Sequence, residues 1–239
     1  MNQELTLHQR RRAPTAQELA GIPWLHLLTA QEREVMVPKI VVGDALAGDV
    51  VCRVGRAPTY WFGVVEGLLK MSIDTDRGDS LTFTGVSSGG WFGEGTALKQ
   101  EPYRYNVQAL RATLVAGLPI DSFHVLLAQS IGFNRFIMNQ LNERLGQFIA
   151  AREIDRMNNP DVRVARSLAA LFNPILFPGV GEVLQITQQE LAYLVGLSRQ
   201  RVNVALQRLE AAAWIQVAYG GVKVLNLDAL RSHTLASHD

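Results

Sequence analysis

The chain has 239 residues, 48% apolar and 19% charged, with a formal net charge of +1 at pH 7. This composition fits a folded globular protein and excludes a disordered chain, and the near-zero charge means that any polyanion surface must come from local placement of cations. Cys52 is the sole cysteine, which excludes an internal disulfide and the usual four-ligand cysteine sites for zinc or iron–sulfur clusters, and predicts a small buried core residue.

At the N-terminus, "MNQELTLHQRRRAPTAQEL" carries basic residues with no apolar core behind them, and no run of about 18 apolar residues follows anywhere. Neither a secretory signal nor a membrane span is expected, so the expected compartment is the cytoplasm and no membrane is expected as a partner. "TAQELAGIPWLHLLTAQEREVMVPK" has helical spacing, with Thr29 as an N-cap, and predicts a short helical lead-in. From Gly43 to about Pro119 short alternating runs ("VVCRV", "YWFGVV", "LLKMSID", "LTFTGV", "NVQALRATLVAGLP") are separated by turn formers at the spacing of a small barrel or sandwich.

After Pro119 the period becomes helical: "DSFHVLLAQS", then a proline-free segment from about Ile131 to Met157. Met138, Leu141, Leu145 and Phe148 form a heptad-like seam, while Phe133, Phe136 and Ile137 fall on another side. A helix with two apolar faces can cover the β domain with one and a second copy of itself with the other, which predicts a homodimer. The alternative is that both faces pack within one subunit. Asn159 suits an N-cap, Pro160 the first helical position and Asp161 the first turn of the next helix, so Asn158 and Asn159 read as a hinge.

"ITQQELAYLVGLSRQRVNVALQRLE" opens with a Thr187/Glu190 capping box, and Leu191, Leu194 and Val195 make the buried side of its first helix. Gly196 ends that helix, Leu197 plugs the turn, and Ser198 caps a second helix running to about Glu210. There Val202, Ala205, Leu206 and Leu209 share one face, and Gln200, Asn203 and Gln207 the other, with Arg199 at the leading end. Arg can bond guanine bidentately, and Asn or Gln can pair with adenine, so Arg199, Gln200 and Asn203 are expected to read bases. Gln188, Gln189, Ser198 and Arg201 are expected at the DNA, with phosphate the target for Gln188, Ser198 and Arg201. "WIQVAY" and "VKVLNL" flank Gly220 and Gly221 as a two-strand hairpin, a wing with Lys223 in reach of a phosphate. The bland alternative is a two-helix corner with solvated polar residues.

These motifs resemble the winged helix-turn-helix of the cAMP receptor protein/FNR (CRP/FNR) family of bacterial transcription regulators, and the resemblance runs from about Ile22 to Arg231. The glycine framework Gly48, Gly55, Gly67, Gly90 and Gly93 is similar to the family's β half. The resemblance implies an α+β chain: an N-terminal tail (1–21), a β-roll of jelly-roll type (22–130), a long dimerisation helix (131–157) and a winged helix-turn-helix (158–239). It implies a homodimer on double-stranded DNA at a pseudo-palindromic operator, with RNA polymerase as a further partner and binding at one end tilting the other about the hinge.

"WFGEGTALKQEPYRYNVQAL" resembles the family's phosphate-binding cassette, with Gly93, Glu94 and Arg104 at the matching positions. Gly93 would let backbone N–H groups approach a phosphate, Arg104 would neutralise it, and Glu94 would accept from a ribose hydroxyl. Tyr105 stands where cAMP binders carry Ser or Thr, and Phe148 and Ile149 stand near where hydroxyl residues meet the adenine, which makes a poor cAMP site. Two alternatives stay open: a structural Glu94–Arg104 ion pair, or another nucleotide such as a cyclic dinucleotide, with Arg104 or Arg111 on phosphate and Tyr105 on a base. No haem is expected, since His26 and His124 are isolated on apolar stretches and His8, His233 and His238 fall in the tails. No metal motif and no catalytic Ser/His/Asp or Cys/His set occurs, so no enzyme is expected; a ligand-binding module acting only through proteins is the remaining competitor.

Overall fold

The computed structural model describes residues 10–74, 80–154 and 159–232, with the backbone alone for 151–154. His8, His233, His238, the expected helix end at Met157 and the Asn158 half of the expected hinge lie outside the described residues. The chain divides into two compact units: residues 1–144 with 175–179, and residues 145–174 with 180–239.

The first unit begins with α1 (Ala16–Ala20) and α2 (Ala30–Met36). Each starts at a T-A-Q-E capping box, in which Thr15 or Thr29 accepts from the Glu18 or Glu32 backbone N–H and the glutamate accepts in return. Eight strands follow: β1 (Val41–Ala45), β2 (Val50–Cys52), β3 (Tyr60–Glu66), β4 (Leu68–Asp74), β5 (Ser80–Ser87), β6 (Trp91–Phe92), then, after helix α3 (Glu94–Lys99), β7 (Asn106–Ala109) and β8 (Thr113–Pro119). They form two four-stranded antiparallel sheets, ordered β1-β8-β3-β6 and β2-β7-β4-β5. This is the expected β-roll, although the sheet starts at Val41 rather than Gly43, and "NVQALRATLVAGLP" holds two strands. Arg12, within the expected tail, bridges to the edge of β1 by paired backbone hydrogen bonds with Val42 at 2.8 and 2.9 Å.

Helices α4 (Ile120–Gln129) and α5 (Ile131–Ile154) follow the roll. The start of α5 buries Phe133 and Ile137 in a core built on Trp24, Trp61, Trp91 and Phe123, and ring centroids of the three indoles lie 4.3 to 5.8 Å apart. Glycine is required at position 63, because a Cβ there would sit 2.4 Å from the Trp91 ring. Residues 175–179 belong to this unit: Phe177 is 1% exposed and packs on Gly90.

The second unit holds α6 (Pro160–Leu171), β9 (Val183–Gln185), α7 (Gln188–Val195), α8 (Arg199–Ala211), β10 (Ile215–Ala218), β11 (Gly221–Val224) and α9 (Leu227–Ser232). Asn159 caps α6 through the Asp161 N–H, with Pro160 in the first turn. Buried residues of α6, α7 and α8 pack with Ile215, Val222 and Leu230 into one core. The expected two-strand hairpin is one part of a three-stranded sheet ordered β10-β11-β9. Its turn is Tyr219–Gly220, and Gly221 is a strand residue paired with Ala218 and Gln185 rather than part of the turn.

Candidate nucleic-acid interface and effector cassette

Sequence dictates the helix-turn-helix locally. Thr187 and Glu190 close a capping box on α7, Gly196 turns the chain at φ +65, and Ser198 accepts from the Arg201 N–H to start α8. An L side chain at that φ is strained, so glycine is what permits the short link between the helices. Val202, Ala205, Leu206 and Leu209 are buried, whereas Arg199, Gln200, Arg201 and Gln207 are exposed. The first turn of α8 holds no acidic residue, so the guanidinium groups and the unpaired N–H groups of the helix start make one electropositive end.

A groove of about 400 Å³ opens beside that end, lined among others by Thr187, Gln188, Gln189, Arg199, Val217 and Gly220. Gln188 and Asn203 meet each other: Gln188 Nε2 donates to Asn203 Oδ1 at 2.9 Å, and both side chains are half-buried. An amide oxygen has a second lone pair, so Asn203 keeps one acceptor site and its own N–H donors for a base. Arg208 pairs with Asp161 at 2.7 Å, which ties α8 to the start of α6.

The Lys223 side chain is 39% exposed and ion-paired. Ile215↔Val224 and Val217↔Val222 are cross-strand pairs on one face of the hairpin, and Gln216↔Lys223 belongs to the other. Lys223 Nζ lies 2.8 Å from Glu182, and the ammonium holds that carboxyl below its ordinary pKa.

On α5, Met138, Leu141, Leu145 and Phe148 are exposed by 37 to 59%. The same helix buries Phe133 and Ile137, so its two apolar faces differ sharply in cover.

The cassette does not hold the Glu94–Arg104 ion pair, one of the two open alternatives. Glu94 is 2% exposed, and its partner is Arg144 of α5, whose Nε lies 2.5 Å from Glu94 Oε1 and whose guanidinium also donates to the Trp91 carbonyl. Arg104 instead projects into solvent, its side chain 80% exposed, and pairs with Glu101 at 3.0 Å. The physical reason is reach: β6 and the start of α3 put Glu94 in the interior, and an exposed side chain cannot neutralise it there. Glu94 Oε2 is buried with no hydrogen-bond partner.

Gly93 has φ +81 and lies beside Tyr103 and Tyr105, whose hydroxyls would be 3.8 and 3.7 Å from a Cβ at that position. Burial is the main cause that pushes the Tyr105 phenol up to about 12, so it stays neutral at physiological pH, and it shares a hydrogen bond with Thr96. Arg111 is half-buried, and Phe148 and Ile149 are exposed.

Cys52 is buried as expected, its thiol pushed up to about 12 by burial. His26 is exposed, and His124 Nε2 lies 3.1 Å from both Gln100 Nε2 and the Ala97 carbonyl. Among the described residues, no group of three or more His, Cys, Asp or Glu could hold a metal ion, and no helix is long and apolar enough to cross a membrane.

Comparison with known proteins agrees with both halves. The family model described as cyclic nucleotide-binding domain matches residues 44–130, and that described as Crp-like helix-turn-helix domain matches residues 162–233. The transcriptional regulator SdrP of Thermus thermophilus is 30% identical over 193 residues, spanning 77% of this chain and 90% of SdrP. The cAMP-activated global transcriptional regulator CRP of Haemophilus influenzae is 25% identical over 170 residues, spanning 69% of this chain and 75% of that protein. Among solved structures, FixK2 of Bradyrhizobium japonicum is similar in fold, with a TM-score of 0.64 at 14% identity, covering 81% of this chain and 96% of FixK2. With a cyclic nucleotide-binding domain, a Crp-like helix-turn-helix and a regulator relative matched over 90% of its length, the chain belongs to the CRP/FNR family of transcription regulators.

Proposed function

We propose that the protein works as a homodimer that reads a pseudo-palindromic operator, placing two copies of α8 in successive major grooves about 34 Å apart. The observation that carries this reading is the leading end of α8, where Arg199, Gln200 and Arg201 stand exposed beside a buried apolar face. Arg199, Gln200 and Asn203 read base edges, while Ser198, Arg201, Gln188 and Gln189 meet the sugar-phosphate backbone. The row Met138, Leu141, Leu145 and Phe148 joins the two copies. On this reading residues 22–130 are the sensor, 131–157 the dimerisation helix and 158–239 the DNA-binding domain, acting in the cytoplasm with RNA polymerase as a further partner. A mobility-shift titration over a range of salt tests it: affinity falls steeply with salt, and Arg199→Ala loses preference for the selected site. Binding indifferent to salt or sequence refutes it.

For the effector, the buried Glu94–Arg144 pair favours a regulator that does not require a cyclic mononucleotide. The carboxylate that would accept from a ribose is already bonded to a guanidinium carried by the chain, and the bulkier, buried Tyr105 stands where cAMP binders carry Ser or Thr. Thermal unfolding with cAMP, cGMP and two cyclic dinucleotides checks it. The mononucleotides leave the midpoint unchanged, whereas a rise of several degrees with cAMP or cGMP overturns the reading through linkage.

A further inference from the structure

At the tip of the β10–β11 hairpin, Ala218↔Gly221 is the last pair and Tyr219–Gly220 the turn beyond it. Ile215 and Val217 share a face of β10, and Tyr219 stands beyond them in the turn, outside the strand's alternation. Exposure climbs toward the tip, from 1% at Ile215 to 40% at Val217 and 106% at Tyr219. Val217, Ala218 and Gly220 line the groove together with Gln188 and Arg199, and the bare Tyr219 ring is carried between two of those residues in the chain. Such a ring has a large apolar area and a polar handle, a combination suited to a surface that is apolar at its sugars and polar at its phosphates. The wing's cation is placed differently, across the sheet from Val217 and bonded to Glu182.

We propose that Tyr219 is a DNA-contacting residue, its ring packed on deoxyribose and its hydroxyl donating to a phosphate oxygen beside the groove that α8 enters, and that it, rather than Lys223, is the wing's contact. The occupant is duplex DNA because the residues on either side of Tyr219, Ala218 and Gly220, line the same groove as Arg199 and Gln188; the inference therefore rests on the reading of α8 as the DNA-reading helix. A contact of this kind is to the backbone, so it strengthens binding to every sequence alike. It displaces no counterion, so it leaves the salt dependence alone.

Fluorescence anisotropy on two labelled duplexes, one selected by the wild-type chain from a randomised pool and its shuffled counterpart, tests this over a range of salt. Tyr219→Ala loses about tenfold in affinity on both duplexes with an unchanged salt slope, and Tyr219→Phe loses about threefold. Lys223→Ala stays within about twofold of wild type, with the same slope. Because Tyr219 is fully solvated, neither variant at that position disturbs the fold, and circular dichroism verifies this. The inference is overturned if Tyr219→Ala binds like wild type, or if Lys223→Ala flattens the salt slope by about one unit. Arg199→Ala, which loses affinity only on the selected duplex, separates the two claims. If Arg199→Ala is unaffected while Tyr219→Ala is weakened, base reading by Arg199 fails and the wing contact stands. Wild-type protein with affinity for neither duplex overturns both.

Discussion

Glu94 and Arg144 form a buried ion pair within the first unit, with a direct energetic consequence. A carboxylate that is 2% exposed has lost its hydration, and one guanidinium 2.5 Å away supplies the compensation. Arg144→Met should therefore cost about 3 kcal/mol in urea unfolding, since the carboxylate is left buried and unpaired. Adding Glu94→Gln should restore much of that loss, because a neutral amide is cheaper to bury than an unpaired charge. Equal stability of Arg144→Met and wild type would show that water reaches Glu94. The burial of Cys52 was legible from composition alone, whereas the Glu94 partner was not. Arg104 lies ten positions away in a familiar pattern, but Arg144 lies fifty positions away on a helix, and only the closing of the roll against α5 brings it near. Asn203 shows the same limit, because its helix face was readable and its bond to Gln188, made across the turn, was not.

Elements governed by neighbours in sequence were read well. The α7–α8 pair is specified within 25 residues by a capping box, a left-handed glycine and a second cap, and the structure holds all three. The T-A-Q-E at Thr15 is the same signal that marks α2, and it could have placed α1 as well. Strand β9 escaped because three residues, "VLQ", carry too little alternation to announce a strand, and pairing with β11 makes it one. Helix α5 makes a prediction of its own kind. Leu141 and Leu145 are exposed by 37% and 59%, so glutamate at both positions leaves the fold of one chain intact while placing like charges in the proposed seam between two. Sedimentation should give a monomer for Leu141→Glu/Leu145→Glu and a dimer for wild type. A dimer in both would move the interface elsewhere.

At the scale of the whole molecule, the change from a two-residue to a helical period after Pro119 announced an α+β chain with the β-roll first. The net charge of +1 concealed the DNA-binding class, and the cluster at the start of α8 disclosed it. The boundary between compact units was harder to read. It falls inside α5, at 144/145, and residues 175–179 rejoin the first unit, because packing follows contact rather than the order of the chain. The indole cluster has a practical corollary. Trp24, Trp61 and Trp91 pack together in the first unit, and Trp214 is the remaining tryptophan of the four. Intrinsic emission is therefore an optical probe dominated by the β-roll, whose closely packed rings, tilted or edge-on to one another, pass excitation among themselves. Trp214→Phe would make that probe exclusive to one half, so that melting of the roll could be followed while the DNA-reading half stays dark.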